Sequence, residues 1–223
     1  MEQNLKLKRI KNFICAIDGS SSSGKSTAAK LIGKKYKWSI LYSGLLFRYA
    51  AKTILKEKPK NKIKFLNNLF LKIYYQKILK MNLHTPEISY YTSVIAKQKK
   101  IRLIIKKFQK KYVKEKKLVV LEGRDMSQIF PNADVKFFIV CNPLKIAAKR
   151  RWLQLRKKNK KISLIKVIKE LKKRDFMDRN RTHSPLARHV DSVYINTAKL
   201  KIKDVLTKMS LIIEKKIKKK YGS

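Results

Sequence analysis

No stretch of this sequence stays apolar for the ~20 residues that a membrane-spanning helix needs, although hydrophobic residues make up 44% of its 223 positions. A helical membrane span is therefore not expected. The opening MEQNLKLKRIKNF is basic and lacks an apolar centre, so a secretory signal is not expected either. Cysteine is scarce. Cys15 and Cys141 each lie inside an apolar run, FICAI and FFIVC, where a buried strand thiol is a simpler reading than a disulfide or a metal ligand. That usage fits a reducing cytoplasm. The three histidines, His84, His183 and His189, have no metal-ligand spacing. Glycine totals 6 and proline 5, and there is no Gly/Ser linker and no internal repeat.

Acidic residues are also few, 14 against 58 lysines and arginines, for a formal net charge of +44. A surplus this large raises the expectation of a nucleic-acid partner. Here the lysines run from Lys6 to Lys220 with no single stripe or tail, alongside abundant Ile, Asn and Tyr. Coding bias with lysine as the default surface residue explains that scatter. No specific nucleic-acid partner is expected, and any polyanion binding should fade as salt rises. Arginine is distributed differently. Of 11 arginines, eight fall from Arg124 onward, several within short motifs. In a lysine-saturated chain, that choice points to the planar fork that grips phosphate or carboxylate with two hydrogen bonds.

Four short apolar runs read as buried strands, at 13–17, 118–121, 135–140 and 192–196, with a weaker fifth at 38–43. Helical patterns lie between them, one over 26–36 and another after Asn142-Pro143, read as N-cap and first helical residue. Alternating strands and helices argue for an α/β fold with a parallel sheet covered on both faces. Two segments break the alternation. Residues 49–115 are lysine-rich and mostly helical in pattern, with a short strand expected near Phe70–Tyr74, and 156–183 are charged and helical. The expected organisation is a core over 1–48 and 116–223, with one insert at 49–115 and a lid insert at about 153–183.

The strongest local signal is Gly19-Ser20-Ser21-Ser22-Ser23-Gly24-Lys25-Ser26, followed by Thr27. It matches G-x-x-x-x-G-K-[ST] between an expected strand and an expected helix. The glycines let the backbone curl so that successive N–H groups point inward at phosphate oxygens. The helix start adds its positive end. Lys25 would neutralise the outer phosphates, and the Ser26 hydroxyl is the kind of ligand Mg2+ takes in such loops. This is the pattern of a nucleoside triphosphate site.

A phosphate loop alone leaves the reaction open. The third strand ends Glu122-Gly123-Arg124-Asp125, at the sheet edge where α/β ligands bind. The same residues could equally form a solvated turn closed by a local Arg–Asp pair. Further on, Arg174-Asp175-Phe176-Met177-Asp178-Arg179-Asn180-Arg181 reads as helix, with Arg174, Asp178 and Arg181 within one narrow face. Its plainer reading is a surface salt-bridge ladder. With Arg150-Arg151 opening a helical segment upstream, two arginine groups bracket the charged insert. A flap of arginines closing over phosphates suits phosphoryl transfer.

Taken together, the phosphate loop, Ser43-Gly44 with Arg48, Gly123-Arg124-Asp125-Met126 with Phe130-Pro131, and the arginine–aspartate run through Arg181 resemble the bacterial cytidylate kinases, from about residue 13 to 213. The resemblance implies a P-loop fold and transfer of a phosphoryl group from ATP, with Mg2+, to CMP or dCMP. It implies that Arg48, Arg124, Arg174 and Arg181 bind the acceptor phosphate or the transferring group. Ser93, Arg102 and Asp125 would read the cytosine ring, Ser43 would belong to the acceptor site, and Asp178 would contact the sugar. Arg150 and Arg151 would face the donor phosphates. The remaining alternatives are another acceptor, UMP or TMP, or a basic nucleic-acid-binding protein on a P-loop fold. A cytoplasmic monomer is the expectation. Tyr42 stands where the family has Asp, Phe47 where it has Tyr, Ser127 where it has Gly, and Ser26 where Gly is usual. These departures bear on turnover and on the preference for CMP over UMP. Tyr74-Tyr75 and Tyr90-Tyr91 are expected to pack the acceptor insert.

Overall fold

The computed structural model describes residues 10–157 and 160–222, so the basic N-terminal stretch lies outside the described residues as far as residue 9. Within them the chain divides into two compact units. One comprises the described residues of Met1–Leu41, Lys117–Asn180 and Ser184–Ser223, and the other Tyr42–Lys116 with Arg181–His183.

In the larger unit, the apolar runs form β1 (Phe13–Gly19), β2 (Ser39–Tyr42), β3 (Leu118–Glu122), β4 (Val135–Val140) and β5 (Val193–Asn196). Their order is β2-β3-β1-β4-β5. β1 pairs in parallel with β3 and β4, and β4 with β5. Every residue of β4 is buried, the mark of a strand covered on both faces. Lys136 tolerates that position because its ammonium donates to Asp191 at 2.6 Å. The chain passes to one side of β1 for β2 and β3 and to the other for β4 and β5. The carboxyl edge of β1 is thus the switch point where open α/β sheets take ligands.

Helix α1 (Lys25–Tyr36) buries Ala28, Ala29, Ile32 and Tyr36. A fully buried isoleucine such as Ile32 contributes roughly 1.5–3 kcal/mol. The long α10 (Ile202–Tyr221) packs beside it through Val205, Met209 and Ile213. Glu214 on α10 accepts from Tyr36 at 2.7 Å and Lys35 at 2.9 Å. The short α7 (Met126–Ile129) follows β3. Helices α8 (Leu144–Arg156) and α9 (Leu164–Arg179) pack through Ala148, Val167 and Leu171, flanked by Trp152 and Leu155. Pro143 is the N-cap of α8 rather than its first residue, one position later than Asn142-Pro143 implied.

The smaller unit holds α2 (Ser43–Glu57), α3 (Lys62–Lys72), α4 (Tyr75–Leu79), α5 (Pro86–Ile95) and α6 (Lys99–Lys116). Asn61 and Thr85 cap α3 and α5 with their side-chain oxygens, as N-cap residues of these types do. The expected strand near Phe70–Tyr74 is absent. Leu66 and Phe70 recur at helical spacing and bury one face of α3, so helix runs on to Lys72. Phe70 meets Tyr49 and Phe108 edge-on, and Tyr75 meets Tyr112 at 5.1 Å. Of the four tyrosines expected to pack this unit, Tyr75 does, whereas Tyr74 and Tyr90 are largely exposed. On α6, Ile101, Ile104, Ile105 and Tyr112 face inward while Lys107, Lys110, Lys111 and Lys114 face outward. Lysine is the solvent face of an amphipathic helix here.

Candidate active site

β1 runs into the phosphate loop at Gly19, whose φ is 143°. A Cβ there would lie 1.8 Å from the Ile139 carbonyl oxygen, so only glycine lets β1 close on β4. Ser20 N–H then donates to that same carbonyl at 3.2 Å. Ser22 (φ 55°) and Gly24 (φ 90°) both turn left-handed, which aims successive N–H groups into one concavity. Gly24 is the N-cap of α1. Ser26 and Thr27 stand exposed on its first turn.

Lys25 is buried, and its ammonium donates to the Ser20 carbonyl and to Ser23 Oγ. Burial, then repulsion from Arg124, lowers its pKa to about 7, with Glu122 pulling the other way.

Arginine–carboxylate contacts join the separate motifs. Arg124 Nε donates to Asp178 Oδ2 at 3.0 Å, and its NH2 donates to Ser21 Oγ at 3.1 Å. Asp175, one turn earlier on α9, accepts the Ser21 N–H at 2.8 Å. Ser21 is thus held by its backbone to α9 and by its side chain to the turn after β3. Burial disfavours the charge on Arg124, but Asp178, Glu122 and Asp175 more than offset it and hold its pKa above the ordinary arginine value. For Arg174, burial and repulsion from Arg124 win, and the pKa falls.

Arg181 requires a correction. Helix α9 ends at Arg179 with Asn180 as C-cap, so Arg181 does not share a helical face with Arg174 and Asp178. The cause is local. Both the N–H and the side-chain amide of Asn180 bond the Phe176 carbonyl, and Leu186 N–H takes the Asp178 carbonyl at 2.7 Å. Arg181 falls in the unit with residues 42–116. Arg150 has partners other than a phosphate: its NH2 donates to the carbonyls of Thr197 (2.9 Å) and Ala198 (3.1 Å). Thr197 Oγ1 in turn donates to the Ser23 carbonyl at 2.9 Å, so Arg150 reaches the phosphate loop through Thr197. Arg151 pairs with Gln154.

Asp125 is buried at the start of α7 but does not cap it. That task falls to Asp18, the last side chain before the loop, which accepts Met126 N–H at 2.8 Å and Ser127 N–H at 2.7 Å. Burial pushes the Asp18 pKa up to about 6, against the pull of those two N–H groups.

In the smaller unit, Arg48 is buried and donates to the Leu83 carbonyl at 2.9 Å and to Ser89 Oγ at 2.8 Å. Ser93 lies one turn beyond Ser89 on α5 and bonds its carbonyl. Arg102 donates to the Ala96 carbonyl and lies 5.2 Å from the centre of the Phe47 ring. Phe47 thus serves as a stacking face for a guanidinium. Ser43 accepts from the buried Gln109 Nε2 at 2.9 Å. Tyr42, at the N-cap of α2, makes no side-chain cap, and Tyr75 Oη accepts its N–H at 2.7 Å.

Asp18, Ser89, Gln109, Thr197 and the role of Asp175 were not evident from sequence. Asp175 lies inside the Arg174–Arg181 motif, so attention to the motif could have found it. The partners of the others are set by tertiary folding.

A strand, a tight N–H-lined loop and a helix, with a lysine folded across the loop, form a cradle for a polyphosphate. This places the chain among the P-loop nucleotide-binding α/β proteins. The chain belongs to the cytidylate kinase family, whose model, described as Cytidylate kinase, matches residues 15–215. Similar proteins include the cytidylate kinase of Fusobacterium nucleatum, 34% identical over 92% of this chain and 98% of that protein. That of Clostridium tetani is 32% identical over 94% and 97%. A crystal structure of an uncharacterized protein from Eubacterium ventriosum covers 92% of this chain and 99% of its own at a TM-score of 0.53 and 17% identity, a likeness of fold alone.

Proposed function

We propose that this chain transfers the γ-phosphoryl group of ATP to CMP or dCMP, giving ADP and CDP or dCDP. The observation that carries this reading is the contact of Arg124 with both Ser21 and Asp178. It joins the phosphate loop, the Gly123–Met126 motif and the arginine–aspartate helix in one cluster.

In this reading the loop at residues 19–27, through main-chain N–H groups other than that of Ser20, and Lys25 bind the donor phosphates. Arg124 and Arg174, with Arg181, stabilise the charge that spreads over the transferring group. Positioning and charge neutralisation are most of what such a transfer requires. The acceptor phosphate attacks in line, and no covalent enzyme intermediate forms. Ser43 and Arg48 hold the acceptor, Asp178 its sugar, and Ser93, Arg102 and Asp125 its base. Cytosine offers an amino donor beside a carbonyl acceptor, which a serine hydroxyl and an Arg–Asp pair can match. Arg150 supports the donor loop through Thr197, and Arg151 lies on the same helix.

The residues fit a loosely held Mg2+. Among the described residues no cluster of three or more His, Cys, Asp or Glu could cage a metal, while Ser26 presents an exposed hydroxyl on the first turn of α1. Mg2+ takes one or two protein ligands and completes its shell with phosphates and water. Ser26 would hold it, and when bound it would neutralise phosphate charge.

ADP release measured with CMP, dCMP, UMP, TMP and AMP as acceptors tests the reading. CMP and dCMP should give the highest kcat/KM, and Asp125→Asn or Ser93→Ala should reduce that preference more than it reduces ATP binding. Equal rates with AMP, or unchanged discrimination in both variants, would refute the base assignment.

A further inference from the structure

Asp175 has no place in the roles above, yet it touches the donor loop directly. Its Oδ1 accepts the N–H of Ser21 at 2.8 Å. Ser21 is buried, the third residue of the Gly19–Ser26 loop, and in the reading above its N–H is one of the main-chain donors that build the anion cradle. One N–H serves one strong acceptor at a time. A carboxylate oxygen and a phosphate oxygen are both anionic acceptors, so each displaces the other there. The carboxylate acts beyond that one bond, since its charge also bears on Lys25 and Arg124. It therefore repels the phosphates that those cations attract.

We infer that Asp175 is a built-in competitor for the donor's phosphates, an affinity-setting residue that holds α9 to the phosphate loop until a polyphosphate takes its place. The same helix carries Asp178, three residues on, which occupies Arg124 in the same manner. Displacing Asp175 frees the Ser21 backbone from α9. Nucleotide binding is in this way coupled to the helix that bears Arg174.

This inference rests on the reading that the loop binds ATP, and the test separates the two. Binding of metal-free ADP is titrated calorimetrically, with EDTA and at fixed high ionic strength, to wild type, Asp175→Asn, Asp175→Ala and the control Glu170→Gln. Glu170 is an exposed residue of the same helix, so its substitution changes net charge equally. Charge-assisted hydrogen bonds are among the stronger ones, and their loss from the competing side should tighten ADP on the order of tenfold in Asp175→Ala. Asp175→Asn, which keeps the shape and can still accept from Ser21, should tighten it by less. Glu170→Gln should match wild type. A gain in affinity is not what damage to a structural contact produces. Weaker or unchanged ADP binding in Asp175→Asn, or an equal gain in Glu170→Gln, would overturn the inference. A wild-type chain that binds no ADP would instead refute the donor-site reading.

Discussion

At the scale of single residues, Lys25 carries the most consequential chemistry. A buried ammonium facing Arg124 loses its proton readily, and its pKa of about 7 lies well below the ordinary lysine value of 10.5. The unfolded chain therefore binds more protons than the folded one between those values. This site's burden on stability is full below about pH 7 and lifts as pH rises toward the ordinary value. Phosphates reverse the balance, because an anion beside Lys25 favours the charged form. ADP binding at pH 8 should consequently take up ~1 proton, and affinity should weaken above pH 7 by up to about tenfold per unit. Calorimetry in buffers of different ionisation enthalpy checks this, and Lys25→Met should abolish the uptake. Affinity that stays flat from pH 7.5 to 9 would mean that Lys25 is already charged before nucleotide arrives.

At the scale of elements, the site depends on short turns held by distant side chains. Asp18 caps α7 from the end of β1, 108 residues away in sequence, and α7 directly follows Arg124 and Asp125. Asp18→Ala leaves two buried N–H groups unpaired, which should cost roughly 2–4 kcal/mol and lower kcat by loosening Arg124. Urea midpoints and initial rates check it, and an unchanged midpoint would show that another group takes over the cap. The elements themselves were largely legible in the sequence. Each strand lies within a residue or two of its apolar run because a short run bounded by charge can be buried only as a strand in this setting. The phosphate loop was legible too, since its glycines answer to backbone geometry. What was not legible depended on partners far along the chain. The helical pattern gave no sign that Asn180 would stop α9 before Arg181. The Arg124–Asp178 pair spans 54 residues, and only folding brings it together. Phe70 was ambiguous because a short apolar run fits strand and helix alike until its i,i+4 partner Leu66 is considered.

For the whole molecule, the charge of +44 and the nucleotide site are separate matters. Lysines line outer helix faces such as that of α6, whereas the cluster beside the loop consists of the buried Lys25 with Arg124, which is paired to Asp178. Among the described residues, no helix is long and apolar enough to cross a membrane. Screening distinguishes the two kinds of positive charge, because exposed charges lose most of their reach within ~3 Å at 1 M salt while buried ones are shielded far less. The most direct measurement is 31P NMR of the purified chain with ATP, Mg2+ and CMP in high salt. The account predicts that CDP and ADP resonances grow in equal amounts as ATP and CMP decline, and that Lys25→Met shows neither. Inorganic phosphate appearing in place of CDP, or no turnover with CMP under these conditions, would contradict it.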